Sequence, residues 1–178
     1  LEQVADLVRY LASPKQVPLP GKRNSTSAAF AVPPPAERIT RVEGETLVDK
    51  FPPGSGQLRA QPMSSFGSGW SGNRHLWWTG GKPGDILTLK LEGIAPGTHD
   101  LDLFTTAAHD YATIKVSING QLQEADLYSV EVEPGETLHF KNVHVSPSEP
   151  LQIDVHITGM NPAATPRYMV GIDRIEIK

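Results

Sequence analysis

The sequence predicts an antiparallel β-sandwich, and three observations carry that expectation. Apolar residues recur with a period of two along several short runs. Gly and Pro, 16 of each in 178 residues, exceed their ordinary share and favour many turns. Downstream of residue 37 no run shows helical spacing, so strands and turns must build the fold.

Residues 1–13 read as a short helix, because Leu1, Val4, Leu7, Val8 and Leu11 follow i, i+3, i+4 spacing and Pro14 ends it. One amphipathic helix needs a surface to pack on. It either docks on the main domain or is the last helix of another domain. Residues 14–37 form a Pro-rich linker, with Pro14, Pro18, Pro20 and Pro33 to Pro35 among small polar residues. Such a segment favours extended, polyproline-like backbone.

Residues 38–178 carry the globular domain. Leu87, Leu89 and Leu91 alternate with polar residues, as do Ile114, Val116 and Ile118, then Leu151, Ile153, Val155 and Ile157. These are half-buried strands. Asn119-Gly120 marks a tight hairpin. Pro83-Gly84, Pro96-Gly97 and Pro134-Gly135 mark three further turns. In the last strand Val170 and Ile172 share one parity and Ile175 and Ile177 the other. A bulge near Asp173 would let both pairs face inward.

Composition narrows the function. The net charge is −4 and no basic run exceeds Lys22-Arg23, which argues against nucleic acid as a partner. No apolar run approaches the ~20 residues of a membrane-spanning helix, so no membrane insertion is expected. There is no cysteine, which excludes disulfides, thiolate nucleophiles, cysteine zinc sites and covalent haem attachment within these residues. The chain begins at Leu1 and shows no signal peptide, so it reads as part of a longer or processed protein.

The motifs, taken in order, resemble a known family. They are Arg41-Val-Glu-Gly-Glu-Thr-Leu47, Trp70-Ser-Gly-Asn-Arg-His-Leu-Trp-Trp78, Lys82-Pro-Gly-Asp85, Asp110-Tyr111, Ile118-Asn-Gly120, Asp126-Leu-Tyr128 and Val170-Gly-Ile-Asp-Arg-Ile175. Over residues 39–178 this series resembles the carbohydrate-binding-module-like, galactose-binding-fold sandwiches of large secreted or periplasmic proteins from planctomycete-type bacteria. The resemblance implies a jelly-roll-like all-β fold, an extracytoplasmic (periplasmic or secreted) location, and polysaccharide or oligosaccharide as partner. The first eleven residues are similar to the final helix of a class I cytochrome c domain, which implies an upstream electron-transfer domain, with no haem in this chain. The fold hosts many functions, so the site residues must be weighed one by one.

Trp70, Trp77 and Trp78 are all the tryptophans of the chain. A flat indole offers contact area to the C–H face of a sugar ring. Trp70 or Trp77 is the expected platform, or else packing for core and rim. Alternation assigns Trp78 to the core and Trp77 to the outer side. Arg74 and His75 are candidate partners for hydroxyls. Asp110 and Tyr128, brought together by the hairpin, are candidate polar contacts at a loop-end pocket. Alternatively Asp110 caps a turn and Tyr111 packs.

The family resemblance further implies a structural Ca²⁺. Its ligands would be Glu43 and Glu45 in the first strand and Asp173 in the last. Residues i and i+2 share a strand face, and hard carboxylate oxygens suit Ca²⁺. The competing assignment pairs Glu43 and Glu45 with Arg38, Arg41 or Arg174 in a surface ion network.

Catalysis finds little support. Phe66-Gly67-Ser68-Gly69-Trp70 is not a Gly-x-Ser-x-Gly elbow and reads as a loop leading to Trp70. No carboxylate pair among Glu43, Asp102, Asp110 and Asp126 stands out for glycoside hydrolysis. The six histidines show no zinc-binding spacing. The expectation is a non-catalytic carbohydrate-binding module that holds an attached redox protein near polysaccharide. The alternative is a structural or protein-interaction sandwich that buries Trp70 and its loop against a neighbour.

Overall fold

The structure, a computed structural model, describes residues 40–50 and 54–178. The expected helix at 1–13 and the linker at 14–37 lie outside the described residues. Among the described residues there are ten strands: β1 (Thr40–Glu43), β2 (Gln57–Pro62), β3 (Arg74–Thr79), β4 (Ile86–Leu91), β5 (Gly97–Ala107), β6 (Ala112–Ile118), β7 (Gln121–Asp126), β8 (Glu133–Val145), β9 (Leu151–Met160) and β10 (Val170–Ile177). The larger sheet runs β2-β3-β10-β5-β8, with β1 also paired to β10, and the smaller runs β4-β9-β6-β7. The strand pairs of both sheets are antiparallel. The fold is the expected all-β antiparallel sandwich.

The period-two runs explain the core. Leu87, Leu89, Ile114, Val116, Ile153 and Val155 are almost wholly buried. Each such side chain contributes roughly 1.5–3 kcal/mol of hydrophobic stabilisation. Trp78 joins them, as its parity predicts, with no exposed surface. Its indole nitrogen donates to the Ser55 carbonyl at 2.9 Å. The β6–β7 turn has Asn119 at φ 49° and Gly120 at φ 79°, the left-handed pair that a two-residue hairpin requires.

The last strand carries the expected bulge. Its register against β5 shifts between Ile172 and Arg174, which lets Val170, Ile172, Ile175 and Ile177 all be buried. At the same place β10 changes partner. Val170 to Ile172 pair with β3, and Arg174 to Ile177 pair with β1. Asp173 lies in the notch between the two partners.

One expected turn is corrected. Pro134-Gly135 lies inside β8, where Pro134 pairs with Thr106 beside a register shift. β8 is a sheet edge, so a proline there need not interrupt the ladder. A Cβ at Gly135 would meet Thr105 Oγ1 at 2.5 Å, so glycine marks close strand approach and not a reversal.

The edges of the two sheets are joined by side chains. Asn119 Nδ2 donates to the His144 carbonyl at 2.6 Å, Gln121 Nε2 to that of Lys141 at 2.8 Å, and Gln123 Nε2 to that of His139 at 3.3 Å. Amides of the β6–β7 turn and of β7 thereby occupy carbonyls along β8.

Candidate functional site

The β2–β3 loop decides where the aromatic residues go. It folds back over the outer face of the larger sheet. Ser71 pins it there: its backbone N–H donates to Asp173 Oδ1 at 2.8 Å, and its hydroxyl to Glu43 Oε1 at 2.8 Å. Trp70 is carried onto the sheet, where it is 6% exposed and its indole nitrogen donates to Thr106 Oγ1 at 2.8 Å. Gly171, at the centre of the sheet, makes room beneath. A Cβ there would meet Thr106 Cβ at 2.8 Å and His75 Nδ1 at 2.9 Å.

His75 is wholly buried under this loop. Its Nδ1 meets Thr106 Oγ1 at 2.8 Å, and its Nε2 meets Gln61 Oε1 at 2.7 Å. Burial holds its pKa down at about 4, so the ring is neutral at pH 7. Two expectations are corrected here. Trp70, expected as a platform, and His75, expected as a hydroxyl contact, are both buried and do not stand at the surface. The docking alternative loses its residue for the same reason: Trp70 is spent inside its own domain.

Trp77 remains. It is half-buried on the outer side of β3 and lines a cavity of about 130 Å³ with Gln61, Phe66, Asp110, Tyr111 and Met169. Its indole Nε1 is buried and has no hydrogen-bond partner among the described residues. A buried, unsatisfied donor ordinarily costs about 1–3 kcal/mol, so it needs an explanation. Phe66, 43% exposed, adds a second aromatic side chain at the rim. Asp110 is nearly buried, and Arg167 and His109 approach its Oδ2 to 3.5 and 4.0 Å. The Tyr111 hydroxyl has its pKa pushed above the ordinary tyrosine range by burial and then by the Asp110 charge, so it is a neutral wall.

Of the expected contacts, the structure brings Trp77 and Asp110 into one cavity. Arg74 is exposed at the start of β3, opposite Pro62, and does not line it. Tyr128 bridges to Ala108 and donates its backbone N–H to Asp126 Oδ1 at 3.1 Å, also outside the cavity. Sequence reasoning missed Gln61, Val132 and Met169. They come from segments with no motif, and only the strand pairing gathers them. Larger hollows of about 310 and 420 Å³ adjoin Leu91 and Glu92, but neither has an aromatic lining residue among the described ones.

The acidic constellation is only partly assembled. Glu43 ends β1, whereas Glu45 lies in the 3-10 turn Gly44–Leu47, so they do not share a strand face as expected. The turn forms because Gly44 packs against β10. A Cβ there would lie 2.2 Å from the Ile172 carbonyl oxygen. Glu43 and Glu45 make no ion pair with Arg41 or Arg174, and Arg38 lies outside the described residues. Arg41 and Arg174 instead bind Glu176 at 3.1 and 2.8 Å, and Arg174 also binds Asp173 at 2.5 Å. Among the described residues no three carboxylates or imidazoles are grouped so as to hold a metal. Yet Glu43 Oε2 and Glu45 Oε2 are both buried without a partner among the described residues. Burial raises the Asp173 pKa, and the charge of Glu43 adds to it. These are hard oxygen donors of the kind Ca²⁺ takes, though the described residues gather no three such groups into one site.

No protein-family model matches the chain, and no curated protein matches it. Among solved structures, a xanthan lyase from Paenibacillus is similar over 90% of this chain, with TM-score 0.55 and 18% identity. The chain spans 14% of that protein's length. This likeness shows the sandwich fold. A family 35 carbohydrate-binding module from Clostridium thermocellum aligns at TM-score 0.46 and 14% identity, over 78% of this chain and 97% of the module. A family 36 module in complex with calcium and xylotriose aligns at 0.43 and 15%, over 78% and 99%. No described helix is long and apolar enough to cross a membrane.

Proposed function

We propose that residues 38–178 form a non-catalytic carbohydrate-binding module whose saccharide seats in the Trp77 cavity. The observation that carries this reading is a cavity lined by the half-buried Trp77, the exposed Phe66 and the acidic Asp110. A sugar hydroxyl donates to the Asp110 carboxylate, while the indole and Phe66 meet apolar C–H surface. A cavity of this size suits a single sugar ring, and such contacts give a Kd of roughly 10 µM to 1 mM.

In this reading Glu43, Glu45 and Asp173 hold a structural Ca²⁺ that fastens the β2–β3 loop through Ser71. The module serves a periplasmic or secreted protein with an upstream electron-transfer domain of cytochrome c type, and raises its effective concentration at a polysaccharide surface.

The test is calorimetric titration with xylotriose, cellotriose, mannotriose and galactotriose. Saturable binding of one of them by the wild type, lost in Trp77→Ala with the fold intact, is expected. Equal binding by Trp77→Ala would remove the site from this cavity.

A further inference from the structure

The buried chain beneath the loop has a direction. Trp70 Nε1 can only donate, so Thr106 Oγ1 accepts from it at 2.8 Å. Thr106 has no exposed surface, and its hydroxyl has one other hydrogen-bond partner among the described residues, His75 Nδ1 at 2.8 Å. If His75 carried its proton on Nδ1, the Thr106 proton would be buried without an acceptor, a costly arrangement. The hydroxyl therefore donates to a bare Nδ1. A neutral ring then bears its proton on Nε2, which donates to Gln61 Oε1 at 2.7 Å. That fixes the amide of Gln61. Its oxygen is held by His75, and its –NH₂ makes no hydrogen bond among the described residues. Gln61 lines the same cavity as Trp77 and Asp110.

We infer that Gln61 is a ligand-contacting, specificity-determining residue, and that Thr106 and His75 are positioning residues that hold its amide with the –NH₂ turned to the cavity. This rests on the carbohydrate reading above. The cavity then presents one N–H donor, Gln61 Nε2, together with one carboxylate acceptor, Asp110, beside the Trp77 indole. The matching ligand is a saccharide offering one acceptor oxygen and one hydroxyl proton. Gly171 is part of the device, since a Cβ there would displace Thr106 and His75.

Two measurements test it. In the unliganded protein, ¹⁵N imidazole shifts report the His75 tautomer directly, with the proton expected on Nε2; a proton on Nδ1 would overturn the inference. For binding, the four trisaccharides are titrated against three variants. Gln61→Glu keeps an acceptor for His75 but removes the donor, and should abolish binding without unfolding the domain. Thr106→Val should weaken binding about tenfold, whereas Thr106→Ser, which restores the hydroxyl, should bind as the wild type does. Equal weakening by Thr106→Val and Thr106→Ser would mean packing and not orientation. Unchanged binding by Gln61→Glu would remove Gln61 from the site. Should the wild type bind none of the sugars, the carbohydrate reading and the contact role of Gln61 fall together. The tautomer then still decides whether the chain sets the amide.

Discussion

Trp70 Nε1 and Thr106 Oγ1 meet at 2.8 Å across a sheet face where solvent would ordinarily lie. The contact turns the β2–β3 loop into a third, small layer on the sandwich. It separates two tryptophans that the sequence presents as equals: Trp70 holds the layer down, and Trp77 is left facing the cavity beside it.

Trp70→Ala should therefore act on stability. Removing a buried tryptophan typically costs about 3–5 kcal/mol. Denaturant titration should show a loss of that order. A loss below about 1 kcal/mol would mean that the indole does not anchor the loop.

His75 makes the fold acid-sensitive. Its folded pKa of about 4 lies below the ordinary 6.5, so the unfolded chain takes up the proton first as pH falls. Its contribution is whole above pH 6.5 and is lost between 6.5 and about 4. The difference is on the order of 3 kcal/mol. The His75→Gln variant should show a flatter stability profile across that window. Identical profiles for variant and wild type would contradict the assignment.

Gly171 should tolerate no side chain. A Cβ would sit 2.8 Å from Thr106 Cβ and 2.9 Å from the His75 ring, against two β-sheet neighbours that cannot retreat. Gly171→Ala should lower stability by about 1–3 kcal/mol, read as a fall in melting temperature. A rise would show that the loop layer yields more readily than its hydrogen bonds imply.

Calcium should stabilise the domain if the orphaned oxygens of Glu43 and Glu45 take it up. At a free concentration of about one hundred times Kd the gain is about 2.7 kcal/mol. A thermal melt with Ca²⁺ and again with EDTA measures it. Glu43→Gln should abolish most of the difference. A wild-type melt indifferent to Ca²⁺ would leave these oxygens without a metal role.

The amides of Gln121 and Gln123 guard an edge. Each replaced by alanine should cost roughly 0.5–1.5 kcal/mol. The double variant would bare carbonyls of β8 for pairing with a second chain. Sedimentation should show self-association of the double variant but not of the wild type. A monomeric double variant would mean that the edge needs no guard.

Local pattern carried most of the fold. Alternation at Leu87 to Leu91, Ile114 to Ile118 and Leu151 to Ile157 marked strands, and the parity change after Ile172 marked the bulge, because both are properties of neighbouring residues. Pro134-Gly135 misled for the same reason. Its dipeptide chemistry suits a turn, and only pairing with Thr106, far away in sequence, makes it an edge strand. The cavity was half legible. Trp77 and Asp110 belong to motifs, whereas Gln61 gains its meaning from His75 and Thr106, which reach it only through the register of four strands. The expected Trp70 platform failed because exposure is set by where a loop folds and not by the residue it carries.

The divided partnership of β10 has a mechanical side. Thr40 pairs with Ile177, so the described segment is entered and left at one corner. Tension applied between those two points acts across the β1–β10 ladder and would peel its bonds one after another, starting at Thr40↔Ile177. The sheet would surrender β1 first and keep β3 on β10 behind the Asp173 notch. The same proximity makes the fold a natural candidate for circular permutation: a short loop from Lys178 to Thr40, with new ends cut at the Asn119-Gly120 turn, should give a rearranged chain that still folds.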